Sequence, residues 1–156
     1  MNSIRRKFLK STAFFSATVA AIGTGLLFPG RAFGAYLTKA FEAKDISSAL
    51  MAATGSDTYT ESADIKLKAP DIAENGAVVP ITVSSTLPNV ESITIIAKNN
   101  PSPLTSTYRL QNGAEPFIST RIKLGKTSDI IAVVKSNGQL FSATKEVKVT
   151  IGGCGG

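Results

Sequence analysis

The hydrophobic pattern changes period once along the chain. Between residues 39 and 53, Ala40, Phe41, Ala43, Ile46, Leu50 and Met51 recur near i, i+3/4 and i+7. That spacing places them on one face of a helix. Thr54-Gly55-Ser56 ends it, with Gly55 suited to the left-handed residue just past a helix. From residue 64 the period becomes two. Ile65, Leu67 and Ala69 alternate with Asp64, Lys66 and Lys68, and Val79, Ile81 and Val83 alternate next. Pro80 inside the second run predicts an edge or a bulge, because proline has no N–H for a ladder.

Further strands are predicted over 92–97, 104–110, 117–124, 129–135 and 140–151. Ala73-Glu74-Asn75-Gly76 and Asn99-Asn100-Pro101-Ser102-Pro103 read as turns and Asn137-Gly138 as a tight hairpin. About seven short strands after one short N-terminal helix predict a mainly β fold, an immunoglobulin-like antiparallel β-sandwich. A small barrel is the alternative. Ile130-Ile131-Ala132-Val133-Val134 is apolar on both faces. Either a central strand has its outer face covered by the helix or loops, or that face meets a partner subunit.

Charge separates the N-terminus from the rest. The 156 residues carry 17 basic and 11 acidic side chains, a net +6. Residues 1–34 hold five of the basic ones (Arg5, Arg6, Lys7, Lys10, Arg31) and no acidic one, so the remainder is close to neutral at +1. A nucleic-acid partner is therefore not expected. A basic head precedes an uncharged, moderately apolar stretch from Ser11 to Gly30, and Ala32-Phe33-Gly34 places small residues at −3 and −1 of a cut before Ala35. Arg5-Arg6 followed by Lys7-Phe8-Leu9-Lys10 resembles a twin-arginine export signal, with Ile4 where serine usually stands. The expected organisation is a cleaved signal over 1–34, a domain over 35–151 and an arm over 152–156. A periplasmic location follows, with no stable membrane insertion after cleavage. The 122 residues from Ala35 onward suffice for one core.

Several chemistries drop out. The chain has no histidine and one cysteine. Ser-His and Cys-His nucleophile pairs, a structural zinc site and an intramolecular disulfide are excluded. No catalytic residue, metal ligand or cofactor motif is predicted.

The last five residues, Gly152-Gly153-Cys154-Gly155-Gly156, are the most informative. Glycine restricts the backbone least. Gly152, Gly153, Gly155 and Gly156 make Cys154 the head of a flexible arm, reaching about 10 Å beyond Ile151 at ~3.3–3.6 Å per residue. Such a thiol has no pocket of its own but can enter another protein's. Nothing near it in sequence lowers its pKa from the usual value of about 8.5, and the terminal carboxylate opposes ionisation. Activation is thus expected from partner pockets.

The ending from Val147 to Gly156 resembles the C-terminus of the SoxY family, the cysteine-bearing subunits of SoxYZ sulfur carriers. The likeness extends to Ile72-Ala73-Glu74-Asn75-Gly76 with Val79-Pro80, to Asn100-Pro101-Ser102-Pro103-Leu104, and to Ser119-Thr120-Arg121-Ile122. The resemblance implies a carrier and not an enzyme, with sulfur intermediates of thiosulfate oxidation attached covalently to Cys154. It implies a SoxZ-like second subunit exported with it as a folded complex. It also implies a haem enzyme that joins thiosulfate to the thiol, a hydrolase that releases sulfate, and in some lineages a sulfur dehydrogenase.

Other readings predict different behaviour. An envelope structural or adhesion domain would use Cys154 as an intermolecular crosslink. A ubiquitin-like sulfur carrier would use the terminal diglycine, but neither the export signal nor the sandwich suits it. An autonomous thiol oxidoreductase lacks a resolving cysteine. Lys135, Lys145 and Lys148 read as a solvated face in preference to a basic surface at the arm's base. Glu61, Asp64, Asp71 and Glu74 lack the ladder of a calcium loop. Tyr36, Tyr59 and Tyr108 are too dispersed for a stacking platform.

Overall fold

A computed structural model describes residues 37–150 apart from Asn112. The export segment and the glycine-cysteine arm lie outside the described residues.

The predicted helix is two pieces. Residues 37–42 are helical, the chain then opens, and α1 runs Ile46–Thr54. Asp45 causes the break. Its backbone is extended (φ −131°, ψ 159°) and its carboxylate accepts the Ser48 N–H at 2.8 Å, capping α1. Gly55 closes α1 with φ 86°, its N–H donating to the Met51 carbonyl at 3.0 Å. The break shifts the phase of the apolar stripe. Ala40, Ala49, Leu50 and Ala53 are buried, whereas Phe41 and Met51 stand exposed.

Nine strands follow: β1 Thr60–Glu61, β2 Ile65–Lys68, β3 Ile72–Ala73, β4 Val79–Ser85, β5 Val90–Ala97, β6 Leu104–Arg109, β7 Phe117–Ile122, β8 Ser128–Ser136 and β9 Gln139–Val149. They form two sheets. The larger has the order β1-β9-β8-β5-β6, with β3 also on β9, and the smaller is β2-β4-β7. Their inner faces share one core, with Ile65, Val79, Ile81, Val83 and Ile122 opposed to Ile93, Ile95, Ile130, Ala132, Val134 and Val147. This is the immunoglobulin-like sandwich the alternation predicts, and two separate sheets are not a closed barrel.

Seven of the strands match predicted runs. The two extra ones, β1 and β3, are two residues each and pair in parallel with β9, at Phe141–Ser142 and Lys148–Val149. Between them the chain crosses to the smaller sheet as β2. Pro80 lies in the middle strand of its sheet, yet β2 ends opposite Thr82, so only β7 pairs with β4 at that level. The edge expectation is met locally. Asn137 and Gly138 both take positive φ (48° and 76°), the geometry of a two-residue hairpin turn.

The doubly apolar stretch finds its explanation in α1. Ile130, Ala132 and Val134 enter the main core, while Ile131 and Val133 join a second core with Ala40, Ala49, Leu50, Ala53, Ile96, Leu104 and Leu140. β8 is central, between β5 and β9, and the helices cover its outer face. A partner subunit is not needed to bury it.

Candidate functional site

The candidate sulfur-bearing residue, Cys154, and its flanking Gly152, Gly153, Gly155 and Gly156 lie outside the described residues, as do Arg5 and Arg6. The structure does describe the root from which that segment leaves. β9 is held on both edges close to its end. On one edge, Ser128 pairs with Val147. On the other, the Lys148 N–H donates to the Asp71 carbonyl at 3.0 Å and the Thr150 N–H to the Ala73 carbonyl at 3.2 Å. The Val149 N–H donates to the Thr127 hydroxyl at 3.0 Å. Cys154 comes four residues after the last of these anchors.

Three loops build the socket. In the first, the Asn75 side chain accepts the Ala77 N–H at 2.9 Å, turning the chain after β3. Gly76 then lies so close to its neighbours that an added Cβ would stand 2.4 Å from the Leu124 carbonyl oxygen and 2.9 Å from a Val149 methyl. Its own carbonyl accepts the Leu124 N–H at 2.7 Å. In the second, the Asn100 amide donates to the Lys123 carbonyl at 2.8 Å and accepts the Gly125 N–H at 3.1 Å. The Asn99 amide donates to the Thr127 carbonyl at 2.9 Å. The third loop, 123–128, is thereby fixed and presents Thr127 to Val149. Local pattern reads 73–76 and 99–103 as turns, their family resemblance assigns them no place in the fold, and Thr127 has no role in either. Their convergence on β9 depends on long-range register, which no local pattern displays.

The lysines weighed from sequence are not one surface. Lys135 pairs with Leu140 near the hairpin, seven residues along β8 from Ser128 and so roughly 23 Å from the root at ~3.3 Å per residue. It donates to the Thr54 carbonyl at 3.2 Å and lies 3.6 Å from Glu91. Lys145 is half-buried, donating to the Ala69 carbonyl at 2.6 Å and pairing with Asp71 at 2.9 Å. Lys148 alone of the three is a solvated side chain. The four acidic residues also disperse. Asp71 meets Lys145, Asp64 accepts from Ser62 and Thr86, and no cluster of three potential metal ligands occurs among the described residues. Tyr59 and Tyr108 pack on different cores. Tyr36 lies outside the described residues.

A cleft of about 560 Å³, lined by Leu87, Asn89, Glu91, Leu110 and Pro116 among others, opens at the end of the sandwich away from the root. It holds no cysteine, histidine or hydroxyl nucleophile. No helix among the described residues is long and apolar enough to cross a membrane.

Comparison with known proteins assigns the family. The model of sulfur oxidation protein SoxY matches residues 50–154, two thirds of the chain, and its match ends on Cys154. The chain belongs to the SoxY family. The solved structure of the sulfur carrier protein SoxY from Chlorobium limicola f. thiosulfatophilum is 41% identical, with a TM-score of 0.60, covering 66% of this chain and 94% of that one. A superoxide reductase (neelaredoxin) from Ignicoccus hospitalis is 22% identical over 69% of this chain and 90% of its own, with a TM-score of 0.50, and shares the fold alone. Curated proteins return no match. Within this SoxY-family chain, the three interior stretches quoted above for their resemblance now have a place. Gly76, Asn100 and the end of β7 at Ile122 all lead into the socket around Val149.

Proposed function

We propose that this chain is a covalent carrier of sulfur intermediates in thiosulfate oxidation and that Cys154 is the attachment atom. One observation carries the reading: the SoxY family match runs from Leu50 in α1 through all nine strands and ends on the one cysteine the sequence has. The geometry of the root supports it. A sandwich anchored to Thr150 gives a fixed base, and four glycines around Cys154 offer no side chains to obstruct entry into a narrow site. At ~3.3–3.6 Å per residue, the thiol reaches up to roughly 14 Å from Thr150.

The chemistry is divided between proteins. A haem enzyme of the system takes two electrons as the Cys154 sulfur bonds to the outer sulfur of thiosulfate, with release of the thiol proton. Water then cleaves the terminal sulfone as sulfate, leaving a persulfide on Cys154. The carrier contributes the sulfur and its delivery, and the partner pockets contribute activation. In this reading the chain is not itself an enzyme and binds no resident cofactor. Arg5 and Arg6 direct export to the periplasm by the twin-arginine route, in complex with a SoxZ-like subunit, and a sulfur dehydrogenase acts where bound sulfur is oxidised further.

Intact-mass analysis of the protein from its native periplasm tests the reading. Sulfane, sulfonate or thiosulfonate adducts on the C-terminal peptide are expected. An unmodified thiol or a simple disulfide dimer under active thiosulfate oxidation points instead to an envelope domain crosslinked through Cys154.

A further inference from the structure

The outward face of the smaller sheet carries more positive than negative charge. Register places Lys66, Ser84 and Phe117 in one cross-strand row, Lys68, Thr82 and Ser119 in the next, and Pro80 beside Arg121 in the third. These alternate with the core residues Ile65, Val79, Ile81, Val83 and Ile122, so they point away from the core. Val78 and Lys123, each one residue beyond its strand, continue the alternation and are exposed. β2, β4 and β7 contain no aspartate or glutamate, and the one carboxylate that continues the alternation, exposed Asp64 just before β2, accepts the Thr86 hydroxyl at the Lys66 end. Among the described residues Lys98, Lys135 and Lys145 pair with carboxylates, but Lys66, Lys68, Arg121 and Lys123 make no ion pair.

Two further features separate this face from ordinary solvated lysines. Phe117 and Val78, each about half exposed (49% and 52%), stand at its two ends. They give a contact with this face some apolar surface beside its charges. The face also ends at the socket, since Lys123 precedes Leu124, whose carbonyl lies against Gly76 and beside Val149.

We propose that this face is the docking surface for the acidic surface of an enzyme that acts on the Cys154 arm. The proposal rests on the carrier reading. Cations of this kind contribute at the rim of a contact, where they steer encounters that form and break in each cycle. An enzyme seated here has the arm's root at the border of its contact.

The test compares the full chain with a variant carrying Lys66→Gln, Lys68→Gln, Arg121→Gln and Lys123→Gln. Association with the system's thiosulfate-conjugating haem enzyme is followed by stopped flow across ionic strength. The wild-type rate should fall with salt, and the variant should associate about tenfold or more slowly at low salt with a flattened salt dependence. Circular dichroism and thermal melting confirm that both are folded. A variant with the wild-type rate and salt slope overturns the proposal, leaving these cations as edge protection, and so does a wild-type chain that shows no salt-dependent association. The carrier reading is judged separately, by adduct mass on the C-terminal peptide, which the four substitutions do not touch.

Discussion

Gly76 has no room for a methyl group. The obstacle is not its backbone angle but the Leu124 carbonyl, 2.4 Å from where a Cβ would stand. Backbone cannot swing aside as a flexible side chain can, so Gly76→Ala must push the turn after β3 away from the 123–128 loop. We expect a loss of about 1–3 kcal/mol, as for other overpacked sites, read from urea midpoints. Asp45 illustrates a different residue-scale effect. The Ser48 backbone N–H, with help from its hydroxyl, holds the Asp45 carboxyl below the usual carboxylate range. A depressed folded pKa means the cap stabilises fully above the unfolded value of about 3.9 and is lost as pH falls through the lower folded value. Asp45→Ala should therefore lower the melting temperature at neutral pH, and the gap to wild type should narrow as the carboxyl is protonated in acid. A gap that persists in acid assigns the effect to something other than the charged cap. Neither role is visible in sequence alone. Glycine in a turn suggests a positive φ, whereas Gly76 is required by space, and Asp45 interrupts a stretch whose apolar spacing is continuous.

At the level of elements, α1 acts as the lid of a second core. Leu50 is fully buried beneath it, against the face of β8 that carries Ile131 and Val133. Leu50→Ala should cost about 2–5 kcal/mol, as a cavity forms between a rigid sheet and a short helix held at both ends. Chemical denaturation checks the value, and a loss under 1 kcal/mol is inconsistent with α1 packing as described. The same elements show what a sequence displays. Seven strands were legible because each repeats its alternation several times, and Asn137-Gly138 was legible because the turn itself demands those residues. β1 and β3 were not, because two residues have no period and parallel pairing with β9 is decided by distant register. Ile130 to Val134 showed that both faces are buried but not by what. The periodic stretch over 39–53 gave the helical type correctly and hid the break at Asp45. Cys154 stood out at once because its neighbours are all glycine, while Thr127, Asn99 and Asn100, which fasten the root, resemble any polar loop residues.

For the whole molecule, the proposed carrier separates a folded body from a reactive end, and that separation has a measurable consequence. Among the described residues, the bonds at the end of β9 join Lys148 to Asp71, Val149 to Thr127 and Thr150 to Ala73. Among the described residues, the main core draws on Val147 and Val149 of this strand. If the segment after Thr150 acts as the proposed arm, a chain ending at Thr150 should melt as the full chain does, within roughly 0.5 kcal/mol, the range of substitutions that touch no packed feature. It should at the same time lose all covalent sulfur in the intact-mass assay. Cys154→Ser separates the two contributions of the missing segment, because it keeps the arm's length and removes only the sulfur. It should match the truncated chain in carrying no adduct and the full chain in stability. If truncation instead lowered the melting temperature by many degrees while Cys154→Ser did not, the last six residues would belong to the packed body. The thiol would then be presented by the fold itself, and the reach of a free arm could no longer explain how partner enzymes gain access to it.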